Sequence, residues 1–518
     1  MAVAVDQADQ LAGSIDGAAT SSAAASSLAS TAELLTTGGD GRIVRDPATG
    51  LNRYGCAPLP EPAVLAYGSS TASTVSPAGF AAADRLRLRL MRAAHREPAA
   101  VTYAREVARI RLELTDLCGL SDLAGLDVIL GASGTDLHAF AALLVGADGM
   151  VPPLAITVAE TETGSGVPAA LRDGAGPGAT EVATVAVRGV DGGMRPQACV
   201  DADVAALVTA SAGSGRSVLL IVTDVSKTGL IAPSPACALA LRDRHPTIEI
   251  MVDACQFRLA PATLRAYLEH DIWVALTGSK FVAGPAFSGA LLVPAPAAAR
   301  LRPRPWTSTL DTCSVRADWP AGWAAREALP EAPNDGLLLR WEAALTELRA
   351  FRSLSESSVT AFLASFQAAI SRRLATDPAF VELPLPDLAR RPLAAVGAWD
   401  TIPTIFPFLL LRHRPQGRSA LLSRDETMRV YDMLRLDDRD GATRGLPDAT
   451  QLSAVRPCQL GQPVAFGMRA GKQVSALRLC VSMRNINDAV SGRGADDVIA
   501  GALSVLDKAA WLAREEVG

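Results

Sequence analysis

Short, mostly apolar runs recur along the middle of the chain and alternate with stretches whose apolar positions have helical spacing. A strand that helices cover on both faces is apolar along nearly its whole length, so these runs are typical of a buried, mostly parallel sheet. The pattern predicts a large α/β domain over residues 116–305, with helices on both faces of a seven-stranded sheet. Its strands are predicted at 126–130, 154–159, 183–187, 218–223, 248–252, 272–276 and 290–293.

The regions on either side of this domain have different patterns. Ala and Ser dominate the amino-terminal region and turn-forming residues follow, whereas a second mixture of strands and helices occupies the carboxyl-terminal region. We predict a flexible Ala/Ser-rich tail (1–45), with a loosely docked helix as the alternative for its first 40 residues. An N-terminal arm with a helix at 80–114 (46–115), a crossing segment with a linker helix at 337–374 (306–375), and a smaller α+β domain (376–518) are predicted as well. The strands of the smaller domain are predicted at 394–399, 404–411 and 475–482.

Composition narrows the class of protein. The net charge is −5 and no basic run occurs, which argues against a nucleic-acid partner. No segment approaches about eighteen uninterrupted apolar residues, so no membrane span is expected. The eight cysteines form no C-x-x-C pair, the five histidines have no metal-ligand spacing, and the amino terminus lacks the basic start of a secretory signal. We therefore expect free thiols, no metal site and a cytoplasmic location.

Lysine is rare in this chain, since only four of its 49 basic residues are lysines. An amine can lose its proton and form a Schiff base with an aldehyde, whereas a guanidinium stays charged and cannot. Lys280 ends the stretch Thr-Gly-Ser-Lys at 277–280, directly after a predicted strand and before a Gly-Pro turn. Taken alone, the low lysine count favours the simpler interpretation, in which Lys280 is one of a few surface lysines in an arginine-rich chain.

Two other predicted strand ends carry polar residues. Residues 131–136 read Gly-Ala-Ser-Gly-Thr-Asp before a helix predicted at 137–145, and the exposed amides of such a helix start favour an anion such as phosphate. Asp253 closes the apolar run at 248–252, where a partly desolvated carboxylate can hold a proton on a pyridinium nitrogen. Each has a simpler interpretation, the first as an ordinary turn and the second as a helix N-cap.

The spacing of these elements brings them into one site. Lys280 lies 27 residues after Asp253, an interval that holds one predicted helix and one strand. The two residues are therefore expected at the carboxyl ends of neighbouring strands, where chemistry gathers in parallel sheets. A phosphate-binding turn, a pyridinium partner and an amine for an aldehyde together match pyridoxal 5′-phosphate (PLP).

With these motifs, the chain resembles the fold-type I PLP enzymes, nearest the class V aminotransferase and cysteine desulfurase superfamily, over about residues 120–300. The resemblance implies a fold-type I architecture and a PLP cofactor. It implies the following cofactor contacts: Ser133, Gly134, Thr135, Thr277 and Ser279 near the phosphate, Asp253 on the pyridine nitrogen, Gln256 on the ring hydroxyl, and Lys280 as the Schiff-base lysine.

The chain departs from the family in several places. Residues 160–166 hold neither the histidine nor the aromatic residue that the family stacks on its cofactor, so the stacking residue is unassigned. Ser279 stands where the family has a histidine. The family's Asn-Glu-x-Gly segment is Ser-Lys-Thr-Gly at 226–229, which makes Lys227 a rival amine, although it lacks the Gly-Pro turn and precedes the Asp253 strand.

In the smaller domain, residues 476–482 resemble the family's Leu-Arg-x-Ser strand. This resemblance implies that Arg478 binds the substrate carboxylate, for which a planar guanidinium is suited. In so arginine-rich a chain, a surface role for Arg478 stays open. Arg53 and Tyr54 in the turn-rich arm are further candidates for lining the substrate pocket.

The predicted function is a PLP-dependent enzyme acting on an amino acid or other primary amine, with an aminotransferase as the first interpretation. The alternative is a lyase that cleaves a C–S or C–C bond, as in cysteine desulfurase or kynureninase. Desulfuration needs a mobile cysteine, and Cys458 lies in the region where desulfurases carry theirs, although it is offset by about two residues. A catalytically silent binding protein is a third possibility. The resemblance also implies a homodimer.

Overall fold

The structure of the protein is a computed structural model, which describes residues 28–146, 151–174, 179–305, 313–393, 398–412, 419–436 and 456–515. The strands are β1 (Leu65–Tyr67), β2 (Asp127–Gly131), β3 (Leu154–Val158), β4 (Glu181–Val185), β5 (Val218–Asp224), β6 (Ile231–Ala232), β7 (Glu249–Ala254), β8 (Trp273–Thr277), β9 (Gly289–Val293), β10 (Phe380–Glu382), β11 (Ile405–Arg412), β12 (Ala420–Leu421), β13 (Cys458–Arg469) and β14 (Lys472–Cys480). The α-helices are α1 (Thr31–Leu34), α2 (Pro77–Ala93), α3 (Ala99–Leu117), α4 (Gly134–Gly146), α5 (Val167–Gly174), α6 (Gln197–Ala212), α7 (Pro235–Arg244), α8 (Pro261–Glu269), α9 (Ala295–Leu301), α10 (Asp335–Arg352), α11 (Glu356–Thr376), α12 (Arg424–Leu434), α13 (Met483–Ser491) and α14 (Ala495–Glu515).

The large sheet confirms the predicted α/β domain. Its strand order is β2-β9-β8-β7-β5-β3-β4, and each of the seven predicted strands is present with bounds shifted by at most two residues. Neighbours from β8 to β4 pair in parallel, whereas β9 is antiparallel to both β2 and β8. The prediction of seven strands omitted β6, a two-residue strand antiparallel to β5, which is too short to form an apolar run of its own.

Helices cover both faces of this sheet, as predicted. Alternate side chains along β2 and β5 belong to two separate hydrophobic clusters, with Ile129 and Ile221 in one and Leu130 and Leu220 in the other. Helix α4 contributes to the first cluster and α6 to the second. Because each strand is buried on both sides, it is apolar almost throughout, which is why the sequence revealed it.

Two helices predicted as continuous are each divided in two. The stretch 80–114 forms α2 and α3, and Pro98 stands at the N-cap of α3, where its missing N–H costs nothing. The stretch 337–374 forms α10 and α11, and the Ser355 side chain accepts a hydrogen bond from the Ser358 backbone N–H at the start of α11. In both stretches the helical spacing of apolar residues continues across the point where the helix ends. In the sequence, only the capping residues Pro98 and Ser355 mark these two helix boundaries.

Of the two predictions for the amino-terminal stretch, the docked helix fits residues 28–45 better than the flexible tail does, while residues 1–27 lie outside the described part of the chain. Residues 28–58, named here the covering segment, contain α1 and pack against the large domain. Leu35 and Ile43 of this segment are buried. The fully buried Arg340 of α10 donates to the backbone carbonyls of Leu35, Thr37 and Gly38. Composition concealed this docking because several of its contacts go to backbone carbonyls, which any sequence offers.

The smaller domain is built on a second sheet, with the order β1-β13-β14-β11-β10 and β12 paired to β11. Strands β11 and β14 confirm the predictions at 404–411 and 475–482. Of the strand predicted at 394–399, residues 394–397 lie outside the described residues and Trp399 begins a 3₁₀ turn, so no strand occurs in the described part of this stretch. Strand β13 was missed because Gly461, Pro463 and Gly467 interrupt its apolar pattern, and its pairing with β14 is irregular.

The structure also bears on the predicted absence of a membrane span. Within the described residues, none of the helices combines the length and apolar character that crossing a bilayer requires.

Candidate active site

A cavity of about 690 Å³ lies between the carboxyl ends of the large-sheet strands, the covering segment, and strands β13 and β14. Side chains from all three regions line it. Every residue that the sequence singled out for cofactor or substrate is among them: Ser133, Gly134, Thr135, Asp253, Gln256, Thr277, Ser279, Lys280 and Arg478. Arg53 and Tyr54 line it as well.

Lys280 follows β8 in a tightly packed turn. A Cβ on Gly278 would lie 2.6 Å from the Cβ of Ala344, so the turn requires glycine there. The Gly278 N–H donates to the Ser288 carbonyl at 2.8 Å, and the Thr277 hydroxyl donates to the Cys255 carbonyl at 2.7 Å. Within the described chain, the Lys280 amine has no hydrogen-bond partner. Its backbone is therefore held in place while its amine is free to react.

Asp253 lies on the neighbouring strand, as the spacing predicted, because it is paired with Ala275 in the register of β7 and β8. Its carboxylate accepts hydrogen bonds from the Cys255 N–H at 3.1 Å and from the Thr163 hydroxyl at 3.1 Å. Burial acts to raise the pKa of this carboxyl, but His138, the charge of Lys280 and the Cys255 side chain outweigh burial and hold it well below its usual range. Asp253 is thus a buried, ionised carboxylate that faces the cavity.

His138 was missed by the sequence analysis. It is buried on α4, and its Nδ1 donates to the Gly134 carbonyl at 2.7 Å, since a carbonyl can only accept. Its Nε2 lies 3.5 Å from Asp253 Oδ2, which places a second N–H donor, when that nitrogen is protonated, beside the carboxylate. A lone polar residue within the apolar stretch 137–145 was the available signal. We interpret His138 as a residue that positions Asp253.

The turn before α4 presents donors to the cavity. Ser133 and Asp136 form a reciprocal cap, in which Asp136 Oδ2 accepts from the Ser133 N–H at 2.8 Å. The backbone N–H groups of Gly134 and Thr135 have no acceptor among the described residues. A Cβ on Gly134 would lie 2.6 Å from the Cys255 sulfur, so only glycine allows the turn to pack this closely against Cys255. This arrangement suits an anion.

Arg478 is buried in β14 and has no carboxylate partner within the described chain. Its Nη1 donates to the Lys227 carbonyl at 3.2 Å, its Nη2 donates to the Gln462 carbonyl at 2.6 Å, and its Nε has no acceptor. Burial lowers the pKa of this guanidinium. The surface role considered for Arg478 is excluded, because only 3% of the residue is exposed.

Two further predicted residues line the cavity near Arg478. The Gln256 amide donates to the Ser70 carbonyl at 3.0 Å, which fixes the side chain. The Lys227 amine donates to the Glu160 carbonyl at 2.8 Å. Burial, followed by the charges of Arg478 and Lys280, lowers the pKa of Lys227 to about 8. Lys227 therefore shares the cavity with Lys280, but its amine is already engaged.

Cys458 lies away from the cavity. It is fully buried at the start of β13, its thiol donates to the Arg456 carbonyl at 3.3 Å, and burial raises its pKa to about 11. Cys255 does line the cavity, but burial and the charge of Asp253 raise the pKa of its thiol as well. Neither cysteine is prepared to act as a thiolate.

Comparison with known proteins finds similarity in structure only. No protein-family model matches the sequence, and no curated protein matches it. A cystine C–S lyase, C-DES, solved in complex with its product cysteine persulfide, is 15% identical with a TM-score of 0.51, over 85% of this chain and 97% of that one. A Lys-to-Ala mutant of C-DES with glycine covalently linked to its PLP cofactor is 14% identical, with a TM-score of 0.51 over 85% and 96% of the two chains.

A NifS-like protein from Rickettsia africae is similar too, at 10% identity and a TM-score of 0.50 over 86% of this chain and 99% of that one. At such low identities the likeness is one of fold. The expected fold is confirmed, since these neighbours are fold-type I PLP enzymes.

Proposed function

We propose that this chain, which has the fold-type I architecture, is a PLP-dependent enzyme that acts on an amino acid or other primary amine, and that its reaction is transamination. One observation supports the proposal above all others. A free amine (Lys280), a buried ionised carboxylate (Asp253) and an anion-binding turn (133–135) stand at three strand ends around one cavity.

The residues present fit PLP. Lys280 offers the amine that bonds to the cofactor's aldehyde, and Asp253 offers the negative charge that holds a proton on the ring nitrogen. Gln256 is available for the ring hydroxyl. For the phosphate, the available donors are the N–H groups of Gly134 and Thr135 and the Thr135 hydroxyl, with Ser279 nearby. Ser133 and Thr277 also line this part of the cavity, but their hydroxyls donate to Asp136 and to the Cys255 carbonyl. The space that Gly134 leaves open beside Cys255 is what a ligand at this turn needs.

Each protein residue then has a chemical task. When bound, PLP supplies an electron sink for charge that develops next to the substrate nitrogen. The Lys280 amine, which has no competing hydrogen bond among the described residues, moves the proton at the substrate α-carbon. Arg478 binds the substrate carboxylate with the donor capacity that the protein leaves unused.

The thiols favour transamination over desulfuration by a protein cysteine. Proton transfer by Lys280 requires no further nucleophile, whereas desulfuration requires a thiolate that reaches the substrate sulfur. Cys458 is buried outside the cavity, and the pKa of Cys255 is raised. A C–S lyase is the second candidate, because C-DES has the same fold and its solved complex holds a persulfide product rather than a protein-bound sulfur.

The cofactor assignment is tested by locating the PLP adduct. Purified protein is incubated with PLP, reduced with borohydride to make the lysine bond permanent, and digested for mass spectrometry. We expect the adduct on the peptide that contains Lys280, and its loss in Lys280→Ala but not in Lys472→Ala, whose lysine is exposed on β14. An adduct on Lys227 would overturn the choice of lysine. A protein that forms no adduct would be a silent binding protein instead.

The reaction type is tested with a panel of amino acids and the PLP-loaded enzyme. Transamination is expected to leave pyridoxamine phosphate on the protein and to release the matching keto acid. Release of sulfide, persulfide or pyruvate from sulfur amino acids would favour the lyase. Assembly as a homodimer and location in the cytoplasm stay predictions, and the first of these is measured by light scattering of the purified protein.

A further inference from the structure

We infer that Arg42 of the covering segment binds the phosphate group of the cofactor, so that a residue from the same chain's amino-terminal region completes the phosphate site. The inference rests on the proposed function. It assigns a charged phosphate ligand to a part of the chain for which composition predicted a flexible tail or a loosely docked helix.

The contacts of Arg42 place its guanidinium at the anion-binding turn. Its Nη1 donates to the Thr135 hydroxyl at 3.0 Å, and its Nη2 lies 3.3 Å from the Ser133 hydroxyl. The same turn presents the N–H groups of Gly134 and Thr135 without acceptors among the described residues. A phosphate bound there would accept hydrogen bonds from backbone N–H groups on one side and from the Arg42 guanidinium on the other. A planar guanidinium is well suited to this, because its N–H groups match the spacing of phosphate oxygens.

The electrostatics of the turn call for such a cation. Asp136 belongs to the cap of α4, and its carboxylate lies beside the position of the bound anion. Burial raises the pKa of Asp136, while Arg42 counteracts that rise. A phosphate next to this carboxyl would be repelled unless a positive charge offsets it. Arg42 is the cation hydrogen-bonded to this turn.

The Arg42 side chain is held in its orientation from two sides. Asp40 accepts from its Nε at 2.9 Å and from its Nη2 at 2.6 Å. The ring of Phe287 lies beneath the guanidinium, 5.0 Å from its central carbon. Asp40 is about half exposed and binds the solvent-facing edge of the guanidinium. The opposite edge, with Nη1, is therefore directed into the cavity. A side chain oriented in advance loses little entropy when the ligand binds.

The backbone of the covering segment is fixed next to Arg42. The Asn334 amide and the Arg340 guanidinium both donate to the Gly38 carbonyl, at 3.1 and 2.9 Å. Ile43 is buried in a cluster with Ala132 and Phe287. The residues before and after Arg42 are thus anchored to α10 and to the wall of the cavity. We conclude that packing fixes the backbone at Arg42, while Asp40 and Phe287 orient its side chain.

The test compares PLP with pyridoxal, which has the aldehyde but no phosphate. We expect Arg42→Gln to weaken PLP binding by about 10- to 100-fold, the range for a hydrogen bond to a charged group, and to leave pyridoxal binding within about twofold. Arg42→Lys, which keeps the charge without the fork, is expected to fall between. Arg45→Gln is the matched control, because Arg45 is an exposed arginine of the same segment.

A second readout uses inorganic phosphate in place of the cofactor. Phosphate is expected to raise the melting temperature of the wild type and of Arg45→Gln, but not of Arg42→Gln. Equal weakening of PLP and pyridoxal by Arg42→Gln would indicate a merely structural role and overturn the inference, as would unchanged PLP binding. Phosphate stabilisation that depends on Arg42, in a protein that forms no PLP adduct, would preserve the anion site and refute the proposed function instead.

Discussion

Two groups of buried charges, the Asp224–Arg390 pair and the cations of the cavity, differ in how completely their charges are paired. Asp224, the last residue of β5, is paired with Arg390: Nε and Nη2 of the arginine donate to the two carboxylate oxygens at 2.7 and 2.8 Å. The Tyr267 hydroxyl donates to the same carboxylate at 2.7 Å, and Arg390 Nη1 donates to the Asp400 carbonyl. Every donor group of this guanidinium and both oxygens of Asp224 are satisfied.

The cations of the cavity are left incomplete. Lys227 follows Asp224 by three residues, yet its amine shares the cavity with Lys280 and Arg478, and Arg478 keeps an Nε without an acceptor. Within the described residues, none of these three cations forms an ion pair. A satisfied pair links the two domains, because β5 belongs to the large domain and Arg390 to the smaller. Under the proposed function, the three cavity cations, which have no ion-pair partner among the described residues, attract an anionic substrate.

The largest expected effect comes from breaking the satisfied pair. Asp224→Ala leaves the buried Arg390 charge with only the more distant Asp400 carboxylate, at 3.8 Å from Nη1, and should reduce the free energy of unfolding by about 3 kcal/mol. Urea unfolding measures this loss. The control is Asp203→Ala, which breaks the exposed Arg195–Asp203 pair and should cost at most about 1 kcal/mol. Equal losses in the two variants would contradict the comparison.

Removing an incomplete cation should affect binding more than stability. Arg478→Leu is expected to lower kcat/KM for amino acids by about 100-fold, because the substrate carboxylate loses a charged hydrogen-bonding partner. Activity towards an amine without a carboxylate should change little. Urea unfolding should show a smaller loss of stability than Asp224→Ala, since the variant leaves two carbonyls without a donor but no buried charge without a counter-ion. A large loss of stability would place Arg478 in the same class as Arg390.

The smallest expected effect concerns the protonation of Lys227. Its pKa is lowered from an ordinary 10.5 to about 8, so the folded protein holds this proton less firmly than the unfolded chain. The resulting penalty is fully present below pH 8 and disappears as the pH rises towards 10.5. Lys227→Met should therefore stabilise the protein slightly at pH 7, and the gain should shrink at alkaline pH.

The same pKa has a direct chemical readout. The rate at which an amine-selective reagent labels Lys227, followed by mass spectrometry, should rise with a midpoint near pH 8. In Lys280→Met the midpoint should move to higher pH, because a neighbouring positive charge has been removed. An unchanged midpoint would show that the two amines do not interact.

Much of the fold and the centre of the candidate site were readable from local patterns. The seven large-sheet strands were found because burial on both faces makes each of them apolar along its length. Lys280 and Asp253 were placed on adjacent strand ends because one helix and one strand separate them, and parallel topology leaves few alternatives. Strand β13 was missed because its glycines and its proline interrupt the apolar pattern by which a strand is recognised in the sequence.

The residues that sequence reasoning missed act across long separations. Arg42 and Thr135 are 93 positions apart, and His138 approaches Asp253 from helix α4. Local sequence was sufficient for the parallel sheet and for a lysine and a carboxylate at neighbouring strand ends, because hydrophobic period and chain order impose both. The docked covering segment, the neighbour of the carboxylate and the incomplete pairing of Arg478 depended on the folded chain, because which buried groups find partners is decided only when distant segments pack together.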